Sequence, residues 1–233
     1  MLILMPAFAM IVGFALAIVI LAHYAAAPAR RVHELVWGIS FWMFGLGALA
    51  EVVGDLIGWH DLLARVYYIS GAILAVAYLG LGEAILLWPG RAARVSMIVG
   101  AAFTVITVVA LLAAPLDASV LHSDVPWRAV AAKGSLPAIL AGLSNSIGTL
   151  LIVGGALYSA WVFWRKGIQR NRMIGCVLLA VGTLVVATGG VLAGWLNQHA
   201  WLYPPMALGV AIMFVGYLQT TRAPAPKPIP QPS

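Results

Sequence analysis

Seven long apolar segments follow one another along the chain, separated by shorter and more polar stretches. Each segment has about 20 residues or more, the length that a helix needs to cross the hydrocarbon core of a bilayer. The segments are continuously apolar, whereas strands of a membrane β-barrel alternate between apolar and polar residues. The pattern predicts seven membrane-spanning helices at 3–22, 35–57, 62–88, 95–115, 137–163, 173–195 and 201–220.

Composition favours a protein without a water-soluble domain. Of the 233 residues, 63% are hydrophobic and 9% are charged, whereas a soluble domain carries about a quarter charged residues. We therefore predict an all-α integral membrane bundle of seven helices over residues 1–221. Residues 222–233 form a proline-rich cytoplasmic tail, whose alternating prolines favour an extended, disordered end.

Lysine and arginine are distributed unevenly between the two sets of turns. Ten of the 13 follow the odd-numbered segments, and three lie in or beside the other turns. Basic loops stay in the cytoplasm, so we expect an outside N-terminus in a multi-pass protein of the plasma membrane. We therefore interpret the basic residues as determinants of topology in a lipid bilayer, and we predict no nucleic-acid partner. The ten are Arg30, Arg31, Arg91, Arg94, Arg165, Lys166, Arg170, Arg172, Arg222 and Lys227, and the three are Arg65, Arg128 and Lys133.

Ionisable residues within the spans are the first candidates for function, because each is costly to insert into a membrane. Glu51 and Asp55 are four residues apart in the second span and so share one helix face. A tight turn follows, and the helical rise places Arg65 in the third span at a depth similar to that of Asp55. We therefore predict an Asp55–Arg65 ion pair with Glu51 nearby.

These charges, together with polar residues of spans three and five, predict a ligand pocket that opens to the outside. Span five enters from that side, and its asparagine reaches about the depth of Glu51. The alternative is a structural ion pair that locks spans two and three together. One arginine cannot neutralise two carboxylates, which keeps the ligand hypothesis open. The predicted pocket residues are Glu51, Asp55, Arg65, Tyr68 and Asn145.

Two further glutamates have simpler interpretations. Glu34 lies beside Arg31 at a helix N-terminus, where the helix dipole favours an acid. Glu83 lies near the cytoplasmic end of the third span. We expect its side chain to reach the interface or to pair with Arg91 and Arg94.

No cofactor and no catalytic site is predicted. His60, His122 and His199 fall on the predicted outer side, but they come from separate loops without ligand-pair spacing, so we predict no metal site there. No histidine lies in mid-span, where an axial haem ligand is expected. The last span has no lysine for a retinal Schiff base, and HExxH, GxSxG and Walker A motifs are absent from the sequence.

One stretch of spans two and three resembles a known family. Phe41-Trp42-Met43-Phe44 leads to Glu51, and Leu62-Leu63-Ala64-Arg65-Val66-Tyr67-Tyr68-Ile69-Ser70-Gly71 follows. This stretch resembles the N-terminal seven-transmembrane sensor region of bacterial histidine kinases. No kinase module follows it, so the resemblance implies a sensor-like or ligand-binding protein that acts through a partner.

Two other functions stay open at this point. Glycine-rich faces, such as Gly190-Val191-Leu192-Ala193-Gly194, let helices approach closely. They predict a protein partner or a homo-oligomer, as expected of an accessory or structural subunit in a larger membrane complex. A small transporter is the third hypothesis, but transporters show broken helices or internal repeats near the midplane, and neither is clear in this sequence.

Overall fold

Long helices make up most of the structure. The computed structural model describes residues 3–27, 31–121, 126–167, 169–196 and 198–221, and these ranges contain helices and turns but no strand. Within them, seven helices are long and apolar enough to cross a membrane. They are α1 (Leu4–Ala26), α2 (Val32–Ile57), α3 (Asp61–Leu87), α4 (Arg91–Ala113), α5 (Leu136–Lys166), α6 (Arg170–Leu196) and α7 (Tyr203–Thr221).

The structure confirms the prediction of an all-α fold with seven helices of membrane-spanning length and composition, although several helices are longer than expected. α4 begins at Arg91 rather than at 95, and α5 continues to Lys166 rather than ending at 163. A helix that continues past the apolar layer keeps its backbone hydrogen-bonded, while long basic side chains reach the polar region. The predicted tail at 222–233 lies outside the described residues.

Six of these helices form a ring, and α4 lies outside it. α1 packs against α2 and α7, α3 packs against α2 and α5, and α6 packs between α5 and α7. α4 packs mainly against α3 and leaves most of its apolar side chains exposed. We call the side with the connections after α2, α4 and α6 the α2–α3 end, and the opposite side the α5–α6 end.

The long connection between α4 and α5 folds over the α2–α3 end. Its described residues form two 3₁₀ turns, at Ala118–Val120 and Pro126–Ala129. The Asp117 amide donates to the Ala129 carbonyl at 2.9 Å, which ties the two turns together. Leu121 and Val130 are buried against residues of α3 and α4. In its described part, this connection therefore forms a short folded cover rather than a domain.

α3 changes its helical geometry in the middle. Residues Tyr68–Leu74 form a π-helix between two α-helical parts, a feature that is frequent at functional sites. α2 packs closely beside it, because a Cβ on Gly47 would lie 2.6 Å from the Gly71 Cα. Just beyond the π segment, the Ser40 hydroxyl donates to the Ala75 carbonyl at 2.6 Å. α2 therefore contacts α3 through backbone at this point, with no room for larger side chains.

Glycines spaced seven residues apart bring α6 and α7 together. A Cβ on Gly175 would lie 2.6 Å from the Gly216 carbonyl oxygen, and one on Gly182 would lie 2.7 Å from the Gly209 oxygen. A Cβ on Gly189 would lie 3.0 Å from the oxygen of Leu202. Small residues of this kind allow backbone-to-backbone packing, which drives helix association in membranes.

Candidate functional site

A cavity of about 620 Å³ lies inside the ring, towards the α2–α3 end. We call it the side cavity. Its wall is formed by residues of α2, α3, α5, α6 and α7. Most of the lining is apolar, and the polar groups come mainly from α3 and α5. They include Tyr67, Tyr68, Asn145, Ser146 and Thr149.

The side cavity opens between α5 and α6. It is partly open to the surroundings, and the exposed members of its lining all belong to these two helices. The lining residues from α2, α3 and α7 are buried or partly buried. By the helical rise, Asn145 lies about 14 Å inside the start of α5 and Gly194 about 3 Å from the end of α6, so the opening runs along these two helices from near the α2–α3 end into the apolar layer. The exposed residues are Asn145, Ser146, Leu150, Gly190, Val191 and Gly194.

Asn145 fixes α5 to the π segment of α3. Its side-chain Nδ2 donates to the Ala72 carbonyl at 2.9 Å and to the Ala141 carbonyl at 2.8 Å. The Ala72 carbonyl belongs to the π segment, whose altered hydrogen-bonding pattern accommodates an outside donor. Tyr68, from the first turn of that segment, is buried and lines the same cavity. Two of the five predicted pocket residues, Tyr68 and Asn145, therefore share a cavity.

The two carboxylates of α2 lie beside this cavity but are not part of the lining given by the described residues. Glu51 is 0% exposed and shares a hydrogen bond with the Tyr67 side chain. Asp55, one turn further along, is exposed and accepts a hydrogen bond of 3.1 Å from the Tyr203 hydroxyl. Tyr203 also lies within electrostatic reach of Glu51. The carboxylates thus bind two buried tyrosines and connect α2 to α3 and α7.

The predicted Asp55–Arg65 ion pair is wrong. Arg65 Nε donates to Asp61 Oδ1 at 2.5 Å within α3. Its other two nitrogens reach the last turn of α4, where Nη1 donates to the Leu111 carbonyl and Nη2 donates to the Ala114 carbonyl at 3.1 Å. The C-terminal end of a helix presents carbonyls without intrahelical partners, and a guanidinium satisfies several of them at once. Arg65 therefore attaches α4 to the bundle and does not line the side cavity described here.

A second cavity, of about 480 Å³, lies at the α5–α6 end. We call it the polar cavity, because Glu34, Glu83 and Tyr217 are buried in its wall. The expectation that Glu83 reaches the interface or pairs with Arg91 and Arg94 is wrong. Its side chain points inward and, within the described ranges, forms no ion pair with either arginine. The interpretation of Glu34 is confirmed in part, since Glu34 lies in the first turn of α2, 3.5 Å from Arg31.

The sequence alone did not identify this second group. Glu34 and Glu83 were recognised as ionisable, but Tyr217 was not considered. The structure places Glu83 against Gly155, where a Cβ would lie 2.5 Å from the Glu83 Cγ, and nothing in the sequence pairs these two positions.

Of the three histidines considered as metal ligands, only His60 has a described side chain. His60 precedes α3, and its Nδ1 accepts a hydrogen bond of 3.4 Å from the Leu63 amide. His122 and the side chain of His199 lie outside the described part of the structure. In the part that is described, no three His, Cys, Asp or Glu side chains are placed to hold a metal ion.

Comparison with known proteins finds no matching family model, no matching curated protein and no matching solved structure. The fold alone therefore defines the class of protein. In its described residues, the chain is an all-helical protein with seven helices long and apolar enough to cross a membrane.

Proposed function

We propose that the chain is a sensor-like membrane protein that binds an apolar molecule from the lipid phase in the side cavity. The observation that carries the proposal is the position of the exposed lining residues, all of which lie on α5 and α6. A ligand arriving from water would enter at an end of the bundle. An opening between two apolar helices instead favours a molecule that is already dissolved in the bilayer.

The chemistry of the side cavity supports a largely apolar ligand with one polar group. A volume of about 620 Å³ is within the usual range of small-molecule sites, which combine apolar walls with a few polar groups. Tyr68, Ser146 and Thr149 supply hydroxyl groups on one side of the cavity. A fatty acid, an isoprenoid alcohol or a quinone fits this description.

The proposal also includes the identity of the membrane and the orientation of the bundle in it. We place the protein in the plasma membrane with the α5–α6 end in the cytoplasm, because most of the described lysines and arginines lie at that end. The π segment connects the side cavity to the rest of α3, so a bound molecule can alter the position of this helix. A partner protein would then receive the signal, as the likeness to kinase sensor regions implies.

Substituting Gly190 tests this proposal. A Cβ on Gly190 would meet no atom within 4 Å, so Gly190→Leu is expected to fill the side cavity without disturbing the helices. Protein purified in nanodiscs with a photoactivatable fatty acid should be labelled on α5 and α6. We expect the Gly190→Leu variant to lose about 90% of this labelling by mass spectrometry, which corresponds to a tenfold loss of affinity when the probe does not saturate the site.

Gly154→Leu is the matched control for this experiment. Gly154 also faces open space but lines neither cavity in the described structure, so its labelling should equal that of the wild type. Equal labelling of Gly190→Leu and the wild type would contradict ligand binding in the side cavity.

A small transporter is the second candidate, because the two cavities adjoin. Leu79, Ile152 and Met213 line both of them, so a single apolar layer separates two compartments that lie towards opposite ends of the ring. Met213→Ala should connect the cavities. If the protein is a transporter, wild-type proteoliposomes should take up a fluorescent organic cation faster than empty liposomes, and Met213→Ala should change that rate more than Met213→Leu does. A binding protein predicts no uptake by the wild type.

An accessory subunit has less support. The glycines at Gly175, Gly182 and Gly189 pack against α7 within the same chain and are unavailable for a second protein. Gly190 and Gly194 stay open, but both line the side cavity.

A further inference from the structure

Three buried polar groups point into the polar cavity, and the proposed function makes no use of them. Glu83 on α3, Glu34 on α2 and Tyr217 on α7 all line this space of about 480 Å³. In the ring, α2 lies next to α3, whereas α7 is separated from α2 by α1 and from α3 by α5 and α6. The three groups therefore approach the cavity from different directions.

Glu83 is held inside the bundle by its surroundings. Its side chain is only 6% exposed and fills the hollow beside Gly155, whose Cβ would lie 2.5 Å from the Glu83 Cγ. Among the described residues, no hydrogen bond or ion pair is found for the Glu83 carboxyl. The Glu83 carboxyl therefore borders the open space of the cavity, where a positive group from outside the chain can reach it.

Two neighbouring groups also have oxygen atoms without a hydrogen bond in the described structure. Glu34 Oε1 lies 3.2 Å from His23 Nδ1 and 3.5 Å from Arg31 Nη1, while Glu34 Oε2 is buried without a hydrogen bond in the described structure. The Tyr217 hydroxyl is likewise buried without a hydrogen bond there, on a residue that is 5% exposed. Two buried oxygen atoms in the wall of this cavity, Glu34 Oε2 and the Tyr217 hydroxyl, therefore have no hydrogen-bond partner among the described residues.

Aromatic rings complete the wall. Trp37, Phe41, Phe163 and Tyr217 all line the cavity, and the Trp37 indole is fixed by a hydrogen bond of 3.2 Å to the Leu79 carbonyl. Rings of this kind attract a cation to their faces, and aromatic cages recognise ammonium ligands.

The positive side chains of this cavity lie towards its mouth. Arg31 and His23 are 56% and 44% exposed, and Arg172 and His33 are partly exposed. Glu34 lies beside Arg31 and His23 in the first turn of α2, whereas Glu83 lies between α3 and α5, against Gly155. The part of the cavity around Glu83 therefore favours a positive group.

We propose that the polar cavity is a binding site for a small organic cation, an amine or a quaternary ammonium. The cationic nitrogen lies between the Glu83 and Glu34 carboxylates, and aromatic side chains contact its carbon substituents. The volume is large enough for a small molecule. This site is separate from the side cavity and does not depend on the function proposed for it.

The test measures binding of three probes to the full chain in nanodiscs by isothermal titration calorimetry. Tetramethylammonium, benzyltrimethylammonium and tetrabutylammonium span the sizes that such a cavity can hold, and neopentylbenzene is the neutral analogue of the second. We expect at least one cation to bind, and benzyltrimethylammonium to bind more tightly than neopentylbenzene. Glu83→Gln keeps the shape of the side chain and should weaken binding of the cation at least tenfold.

Two further variants separate binding from folding. Glu51→Gln changes an equally buried glutamate that lines neither described cavity, and it should leave cation affinity within twofold of the wild type. Tyr217→Phe removes only the hydroxyl and should weaken binding about threefold. The proposal is overturned if no cation binds, if the neutral analogue binds equally well, or if a folded Glu83→Gln variant keeps wild-type affinity.

Discussion

A Gly182→Leu variant is expected to lose most of its folded population in mild detergent. Gly182 contacts the backbone of α7, where an added Cβ would lie 2.7 Å from the Gly209 carbonyl oxygen and 2.5 Å from the Met213 Cγ. Backbone atoms cannot move aside as a flexible side chain can, so α6 and α7 must separate. Overpacking by a methyl group alone costs about 1–3 kcal/mol, and leucine adds three more carbons. The midpoint of unfolding in increasing SDS measures the loss.

The same substitution at Gly154 serves as the control. Nothing lies within 4 Å of a Cβ at Gly154, and glycine is a poor helix former by about 1 kcal/mol relative to alanine. Gly154→Leu should therefore be neutral or stabilising. If Gly182→Leu and Gly154→Leu unfold at the same SDS concentration, α6 and α7 do not pack through their glycines.

An Arg65→Gln variant is expected to be the second most destabilised, by about 3 kcal/mol or more. Hydrogen bonds to a charged group contribute about 1.5–3 kcal/mol each, and Arg65 donates to carbonyls of Leu111 and Ala114 as well as to Asp61. Leu111 is fully buried, so its carbonyl would lose its partner in a place that water does not reach easily. Thermal unfolding in detergent, followed by tryptophan fluorescence, measures the effect.

Asp61→Asn distinguishes the contacts to α4 from the ion pair. Asp61 is half exposed, and exposed ion pairs contribute about 0.2–1 kcal/mol. Because Arg65 keeps its carbonyl partners in this variant, the loss should be small. An Arg65→Gln loss no greater than that of Asp61→Asn would show that Arg65 does not hold α4 in place.

The seven helices were predictable because their signal is local. About 20 continuous apolar residues suffice to identify a potential span, and each helix of the described structure matches one predicted segment. The partner of Arg65 was not predictable in this way. The Asp55 prediction compared depths across a single hairpin, whereas the Leu111 carbonyl lies 46 residues further along the chain. Any backbone carbonyl is a possible acceptor, so side-chain types alone do not identify the partner.

The candidate sites were also only partly predictable, because contacts between distant parts of the chain decide their geometry. Tyr68 and Asn145 both line the side cavity, and the sequence grouped them because both are polar within apolar spans. The inward direction of Glu83 depends on Gly155 of another helix. It also depends on the π segment that precedes it. Neither the partner glycine nor the change in helical geometry has a strong signal in the residues around Glu83.

The π segment also affects how this sequence should be aligned with others. An i→i+5 hydrogen bond encloses one residue more than the i→i+4 bond of an α-helix, and one residue corresponds to a rotation of about 100°. A homologue with a regular third helix should therefore need a single-residue gap between positions 68 and 74. Without that gap, Glu83 would be matched to a residue on a different face of the helix, and its substitution pattern across a family would be misread.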